Sequence, residues 1–500
     1  MRKKTLQNLG FWAGVLALTL AGFWLRFADL GVNDFQNDEF FHLEAAQGYL
    51  ETGEYVLWDF QLEQPTVEYE RAWIYTWQVA QSFKLFGVNE FAGRLPSVFW
   101  GVLLLPLIAW LAWRSTNSRL VSILATLLAV FDQSLIWASR TCRMYSLFVF
   151  LVTLTIVLVV ESLKHKPTWW IFHPAWTAGA LVTFWLSYMV HEAALALGAG
   201  AVGVVLWFTI DSWLRKKADR KKWLLLLGIL VAVVGTLVGI GIWGKSILPV
   251  QFFTLRSNPN WDYGLFLFNQ MRWGFVGWPL VGVAVWAGIK YKHQGMAVLL
   301  GTVFPIVAFF IFIGDRYAAK KYILFILPLS LIAVAFGLER SIWVGLPVLV
   351  GKLPRWLVML TLCSVFALIG SVPSWPGLDP NGFFQRARAD ERTKNAQIHN
   401  FELAYSLIEQ QLTEDNNTIL IQGNHSYYWT RSDLNLVSLK TDKKFKKSEL
   451  EEVYQSSPHG FVIIPKYKLY HLRYEAKRFI YKHTKRVQGT KKTNIEVFQW

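Results

Sequence analysis

Charged residues and cysteines are scarce in this chain, and each scarcity excludes a class of protein. Only 17% of the 500 residues are charged while 54% are hydrophobic, and a soluble domain of that composition could not cover its own surface. The two cysteines, Cys142 and Cys363, lie in or beside apolar segments, so a disulfide framework is not expected. The segment after residue 372 lacks a glycine-rich phosphate loop and a cluster with metal-ligand spacing, and no internal repeat is visible in the sequence. These features predict a polytopic α-helical membrane protein.

Long apolar segments account for most of the first 372 residues. A helix of roughly 20 residues crosses the hydrocarbon, and helices satisfy their own backbone there. About eleven such spans are predicted, near residues 11–30, 96–113, 119–138, 145–161, 169–188, 193–210, 223–243, 273–289, 295–313, 322–338 and 355–372. The stretch 341–351 is apolar but too short to cross, so it is predicted to lie in the interface.

The net charge of +16 comes from short basic clusters between the apolar segments. This arrangement is typical of membrane orientation and of contact with anionic lipid, and no nucleic-acid partner is predicted. The clusters fall on alternate connections, at residues 2–4, 114–119, 164–166, 215–222 and 290–292. The positive-inside rule then predicts a cytoplasmic N-terminus and, with an odd number of spans, an extracytoplasmic C-terminus. A bacterial-type inner or plasma membrane is favoured.

The composition changes after residue 372, where the chain becomes charged and soluble in character. Helices are expected near 391–412, 448–454 and 469–481, and short strands near 418–422, 434–439, 460–464 and 495–500. The sequence therefore predicts two domains. Residues 1–372 form a transmembrane domain that includes a first outer loop, 31–95, with interfacial helices over 40–50 and 71–86. Residues 373–500 form a small α/β extracytoplasmic domain.

The first outer loop carries an adjacent pair of carboxylates, Asp38 and Glu39, followed by His42. Charged groups at the mouth of a helix bundle are more often working groups than incidental ones, because a charge near hydrocarbon is costly. The alternative is that these residues are merely solvated, and the motif alone does not favour either interpretation.

Basic residues at the outer ends of helices run against the orientation rule. They are Arg140 and Arg143 after the third span, and Arg316, Lys320 and Lys321 after the ninth. Arginine binds phosphate with a planar fork and lysine adds a point charge, so these residues predict a site for a lipid-linked phosphate or pyrophosphate. The alternative is that they reach ordinary lipid head groups. The pair His191 and Glu192 is predicted to cap a helix.

Three segments carry a resemblance to a known family. They are the acidic pair followed by residues 82–97, which include Arg94, then 139–145, and then 321–328. Together they resemble the superfamily of protein O-mannosyltransferases and lipid A aminoarabinose transferases. The resemblance implies the C-type glycosyltransferase fold and an inverting transfer of a sugar from a polyprenyl-phosphate carrier to an acceptor on the non-cytoplasmic face.

The resemblance also implies roles for individual residues. Asp38 or Glu39 would be the essential carboxylate; we expect Asp38 to be the base and Glu39 to support acceptor or metal contacts. His42, Arg94, Tyr145 and Tyr317 are expected to play supporting parts. Tyr145 stands where many relatives carry an acidic residue, so no metal ligand is assigned. A divalent metal is compatible with these residues but not required by them.

Two other functions remain open at this stage. A polysaccharide polymerase or ligase of the same fold would use a lipid-diphosphate donor. A lipid-linked-sugar transporter or flippase should show internal repeats or broken helices near the membrane centre, and the sequence predicts neither. A non-catalytic scaffold is a more distant alternative. The expected partners are a polyprenyl-phosphate sugar, membrane lipids and an acceptor that is a lipid, a glycan or a protein.

Overall fold

The structure is a computed structural model, and it describes most of the chain in several separate stretches. The residues described are 2–36, 38–165, 171–217, 219–243, 261, 263, 274–291, 293–312, 320–345, 361, 400–409, 411–412, 418–421, 426–428, 434–438, 447–457, 459–469, 472, 474–487 and 494–500. They fall into two compact units. The first comprises Met1–Ala28 and Ser97–Leu378, and the second comprises Asp29–Pro96 and Asp379–Trp500.

Helices dominate the described residues, with short strands in the second unit. The helices are α1 Arg2–Phe27, α2 Glu39–Thr52, α3 Trp73–Phe86, α4 Glu90–Thr116, α5 Arg119–Phe131, α6 Gln133–Ser139, α7 Tyr145–Lys164, α8 Pro174–Val190, α9 Leu197–Leu214, α10 Arg220–Trp243, α11 Gly274–Lys290, α12 Gln294–Phe312, α13 Leu327–Gly345, α14 Phe401–Glu409, α15 Lys447–Ser456, α16 Lys466–Leu469 and α17 Tyr474–His483. The strands are β1 Val56–Asp59, β2 Gln64–Glu68, β3 Thr418–Ile421, β4 Asn435–Ser438, β5 Gly460–Pro465, β6 Lys485–Arg486 and β7 Ile495–Gln499. Short 3₁₀ helices are Glu192–Ala196, Lys320–Ile326 and Ser426–Tyr428.

The predicted membrane spans are helical wherever the structure describes them. A helix lies at each of the first ten predicted positions, and of the last, 355–372, only Thr361 is described. Six helices in the described residues are long and apolar enough to cross a membrane, and α5 with α6 would add a seventh as one bent span. The prediction of a polytopic helical membrane protein is confirmed. Of the stretch 341–351, predicted to lie in the interface, the structure describes 341–345, which form the last residues of α13; its place in the interface stays a prediction.

The α5–α6 pair is bent by 62°, which corrects the expectation that no span is broken. The Asp132 side chain accepts a hydrogen bond from Leu135 N at 2.9 Å and so begins α6. The buried guanidinium of Arg26 donates to the carbonyls of Ala129 and Val130 at 3.2 and 3.3 Å. The bend therefore leaves these helix-end groups paired inside the bundle, where water cannot reach them.

In the first unit, the helix ends next to the predicted basic connections contact one another. At the ends of α4 and α7, Arg114 forms an ion pair with Glu161, with Nη2 2.6 Å from Oε2. The Ser118 hydroxyl donates to the Glu339 carboxylate near the end of α13. These ends share a face, as the alternation of basic connections predicts. That this face is cytoplasmic stays a prediction.

The second unit contains a five-stranded sheet in the order β4-β3-β5-β7-β6. Strands β4, β3 and β5 are parallel, whereas β7 and β6 are antiparallel to their neighbours. Apolar clusters around Ile463 and around Ile464 reflect the alternation of side chains along β5. The predicted small α/β region is confirmed, although the helix expected over 469–481 is divided into α16 and α17.

The first outer loop belongs to this same unit. Its two predicted helices are present as α2 and α3, and an antiparallel hairpin, β1–β2, lies between them. The hairpin was not predicted. The Gln61 amide donates to the Leu434 carbonyl beside β4, so the loop packs directly on residues of the C-terminal region.

Candidate active site

The acidic pair lies at the start of α2, and its second member is buried against an arginine. Arg94 Nε donates to Glu39 Oε1 at 2.9 Å, and Nη2 donates to Oε2 at 3.1 Å. Both side chains are 1% exposed. Glu39 Oε2 also accepts from the Gln36 backbone N at 2.8 Å. This bidentate pair is the strongest form of arginine–carboxylate contact.

Arg94 also holds the chain segment that leads into α2. Its Nη1 donates to the carbonyls of Leu30 and Asn33 at 3.0 and 2.6 Å. Its Nη2 donates to the carbonyl of Asp34 at 2.9 Å. With the two bonds to Glu39, every N–H of the guanidinium is used. Arg94 therefore acts as a buried clamp on residues 30–39.

Asp38 occupies a different environment from its neighbour. It is the residue before the first turn of α2, with φ −67° and ψ −9°, and its side chain does not cap that helix. It is half-buried, whereas Glu39 is buried. Successive side chains on a helix point in different directions. Asp38 is therefore the more exposed member of the pair.

His42 lies one turn farther along α2 and is completely buried. Its Nδ1 is 2.9 Å from the Thr76 hydroxyl of α3. Its ring packs edge-on against Tyr69 and Tyr75. These contacts fix α2 against α3.

A second layer of contacts joins the acidic loop to the C-terminal region. The Asp34 carboxylate accepts from the Glu402 backbone N at 2.9 Å, at the first turn of α14. Burial raises the pKa of Asp34, and the backbone N–H groups of Phe401 and Glu402 oppose that rise. The Tyr428 hydroxyl Oη accepts from the Phe35 backbone N at 2.7 Å. Burial, with the negative charges of Glu90 and Asp34, raises the pKa of Tyr428, so its hydroxyl keeps its proton.

The predicted arginine pair lies in the first unit, on the turn between α6 and α7. Arg140 Nη1 donates to the carbonyls of Arg26 and Ala28 at 2.9 and 2.6 Å, at the end of α1. The Arg143 guanidinium lies 5.7 Å from the centre of the Tyr145 ring. The Arg143 carbonyl accepts from the Ser97 hydroxyl at 3.0 Å. Each arginine is 4% exposed.

The remaining predicted basic residues are only partly described. Lys320 and Lys321 begin the 3₁₀ helix Lys320–Ile326. Arg316 and Tyr317 lie outside the described residues. The capping role predicted for His191 is confirmed, because its Nδ1 accepts from Ala193 N at 3.0 Å at the start of a 3₁₀ helix.

Among the residues that the structure describes, no group of three or more His, Cys, Asp or Glu side chains is placed to hold a metal ion. Tyr145, which stands where many relatives carry an acidic residue, is 2% exposed and stacks on Trp137 with ring centres 5.7 Å apart. A role for metal is thus assigned to none of these side chains.

Three residues that support the candidate site or the helices of the first unit were not identified from the sequence. Asp34 and Tyr428 tie the acidic loop to the C-terminal region, and Arg26 supports the bend between α5 and α6. Arg26 carried a signal, because it is a charge inside a predicted span. Tyr428 carried none, since tyrosine is common in this chain and its partner lies 393 positions away.

Comparison with known proteins shows which fold this is. Residues 69–244 match the model of the dolichyl-phosphate-mannose-protein mannosyltransferase family, a stretch that includes Arg94, Arg140, Arg143 and Tyr145. ArnT from Cupriavidus metallidurans, solved bound to undecaprenyl phosphate, is 13% identical, covers 98% of this chain and 98% of its own, and superposes with a TM-score of 0.57. The chain has the C-type glycosyltransferase fold.

Other comparisons agree with this fold. The oligosaccharyltransferase AglB from Archaeoglobus fulgidus, in complex with an inhibitory peptide and a dolichol-phosphate, is 10% identical. Its match covers 96% of this chain and 73% of the AglB chain, with a TM-score of 0.57. A search of curated protein sequences finds no match. The predicted resemblance to C-type membrane glycosyltransferases is confirmed.

Proposed function

We propose that this protein is a membrane glycosyltransferase that moves a sugar from a polyprenyl-phosphate carrier to an acceptor on the non-cytoplasmic face. The fold and the matched family segment support the class of reaction. The relatives solved with undecaprenyl phosphate and dolichol-phosphate support the carrier. The acceptor is a lipid, a glycan or a protein.

The observation that carries the proposal is the different surroundings of the two adjacent carboxylates. Inverting transfer needs a base to take the acceptor proton as the sugar bond to phosphate breaks. Glu39 has both oxygens engaged by Arg94 at 1% exposure, so it is held in place and shielded. Asp38 is half-buried at the start of the helix. Asp38 is therefore the base, and Glu39 holds α2 in register with Arg94.

Cations must stabilise the phosphate that leaves the sugar. We assign this role to Arg140 and Arg143, with Arg316, Lys320 and Lys321 as further donors. Arg143 lies in the segment matched by the family model and is the residue to test first. Arg143→Lys should raise the KM for the donor, since an ammonium does not reproduce the guanidinium fork. Arg215→Lys is the matched control, because Arg215 is paired with Asp211 at the far end of α9.

The decisive experiment is turnover by purified protein in lipid nanodiscs with labelled polyprenyl-phosphate sugars. Asp38→Asn keeps the shape of the side chain and loses its basicity, so we expect a loss of about 10²–10⁴ in rate with donor binding and thermal midpoint retained. Glu39→Gln should lower activity less and thermal stability more, because Arg94 would then be buried beside a neutral partner.

The controls separate the proposal from its alternatives. A dead Glu39→Gln enzyme beside an active Asp38→Asn enzyme would exchange the two roles. Full activity in both variants would contradict the glycosyltransferase proposal. Turnover of polyprenyl-diphosphate sugars, with none of the monophosphates, would identify a polymerase or ligase instead.

A further inference from the structure

The hydroxyl of Tyr428 joins three parts of the second unit. It accepts a hydrogen bond from the Phe35 backbone N at 2.7 Å, within the loop that leads to the acidic pair. It donates a hydrogen bond to the carboxylate of Glu90 at the start of α4. One hydroxyl thus links the C-terminal region to both the acidic loop and the helix that carries Arg94.

The ring of Tyr428 packs against two other aromatic rings. It stacks on Phe401 with an angle of 11° between the planes and ring centres 6.0 Å apart. It meets Phe40, the residue after Glu39, edge-on at 6.0 Å. Aromatic pairs in such geometries contribute beyond their buried area. The hydroxyl is therefore held at a defined position against Phe35.

A second bond from the C-terminal region reaches the neighbouring residue of the loop. Glu402 N donates to the Asp34 carboxylate, while on the other side Arg94 holds the Asp34 carbonyl. Residues 34–35 are thus hydrogen-bonded both to α4 and to the C-terminal region. These bonded residues lie three to four positions before Asp38 in the sequence.

We infer that Tyr428 is a positioning residue for the reaction, and that the C-terminal region serves to fix the backbone on which Asp38 is presented. The inference rests on the proposed function, in which Asp38 is the base. A general base must lie within hydrogen-bond reach of the proton that it takes. Displacement of a catalytic group by about 1 Å costs up to roughly 100-fold in rate. Tyr428 therefore acts on the catalytic rate through Phe35, without touching the substrate.

Tyr428→Phe tests the inference with the smallest available change. It removes the hydroxyl that accepts from Phe35 and donates to Glu90, and it keeps the ring between Phe40 and Phe401. We expect kcat to fall roughly 10-fold or more, with the KM for the donor unchanged. In full-length protein, amide hydrogen exchange over residues 30–38 should become faster because the local tie is lost.

Tyr454→Phe is the matched control. Tyr454 lies in the same C-terminal region, and its hydroxyl makes one bond of 3.4 Å to the His483 carbonyl, away from the acidic loop. This variant should keep both the kcat and the exchange rates of the unaltered protein. If Tyr428 had a merely structural role, Tyr428→Phe would lower the thermal midpoint only. Amide exchange over residues 30–38 would then stay as in the unaltered protein, and kcat would not fall while KM stayed constant.

The two measurements distinguish failure of this inference from failure of the proposed function. Unchanged exchange over 30–38 in Tyr428→Phe would overturn the bracing of the loop. Faster exchange with normal kcat would overturn the positioning role. Absence of turnover in the unaltered protein would instead contradict the proposed function, and the exchange comparison would still decide whether Tyr428 fixes the loop.

Discussion

At the scale of single residues, neighbouring acidic groups of this chain differ in burial and pairing. Glu39 is neutralised by a bidentate arginine, whereas Asp38 is half-buried one position earlier. Glu44, on the same helix, is buried and carries a different consequence. Its pKa is raised from 4.5 to about 8, first by burial and then by the negative charge of Asp59. The second unit therefore contains a carboxyl group that is neutral when folded at mildly acid pH.

The raised pKa of Glu44 predicts how stability depends on pH. Between pH 4.5 and about 8 the folded protein keeps the Glu44 proton and the unfolded chain releases it, so the free energy of unfolding falls as pH rises through this window. Each tenfold difference in proton affinity is about 1.4 kcal/mol, so the loss is on the order of a few kcal/mol. Glu44→Gln should remove it, and its thermal midpoint in detergent should exceed that of the unaltered protein at pH 8.

Glu51→Gln is the control for this pH dependence. Glu51 is exposed on the same helix, so its amide variant should keep the slope of the unaltered protein between pH 5 and 8. An equal slope in the Glu44→Gln variant would show that other groups, among them the buried Asp34, govern the pH response.

At the scale of elements, the bend between α5 and α6 depends on a charged residue from another helix. Arg26 donates to Gly22 on its own helix, to Ala129 and Val130 at the end of α5, and to the Ser139 hydroxyl at the end of α6. Neither glycine nor proline lies at the bend. At the bend, the carbonyls of Ala129 and Val130 accept from Arg26, whereas in a straight helix they would accept from backbone N–H groups of the next turn. The geometry of the bend therefore depends on Arg26.

Arg26→Leu should destabilise the bend without removing apolar packing. Each carbonyl left unpaired in the interior costs about 1–3 kcal/mol, so we expect the thermal midpoint in detergent to fall by several degrees. Arg119→Leu is the control, because Arg119 bonds to Asn8 at the exposed start of α5 and surface pairs contribute little. Equal midpoints for the two variants would contradict the assigned role of Arg26.

At the scale of the whole molecule, two segments far apart in the sequence form one unit. The first outer loop and the C-terminal region bond through Asp34 and Glu402, Phe35 and Tyr428, and Gln61 and Leu434. Bonded groups lie on the same side of the membrane. The loop and the C-terminal region therefore share a compartment, and the positive-inside rule predicts that it is the non-cytoplasmic one.

Impermeant thiol labelling of intact cells tests this topology. In a background without Cys142 and Cys363, single cysteines at the exposed positions Glu54 and Ser456 should both react from outside. A cysteine at Asn117, exposed at the opposite end of α4, should react only after the cells are opened. Reaction at Asn117 alone would reverse the orientation. Reaction at Glu54 without Ser456 would mean that the spans have been miscounted.

The sequence by itself determined the membrane class, the helices at the first ten predicted spans and four of the five strands of the C-terminal sheet, because these follow from apolar runs and from periodicity within a few residues. The short strand β6 was not predicted. The acidic pair and the resemblance to membrane glycosyltransferases were also visible in order along the chain. The bend after α5 was not visible, because it depends on Asp132 capping one helix while Arg26 from another supports it.

Only the tertiary structure distinguishes the surroundings of the residues of the candidate site. Asp38 and Glu39 are chemically alike and adjacent, and only the burial of Glu39 against Arg94, 55 positions away, separates them. Tyr428 reaches Phe35 across 393 positions. Contacts at such separations leave no periodic trace in the sequence, because each is made by one side chain whose partner is chosen by folding.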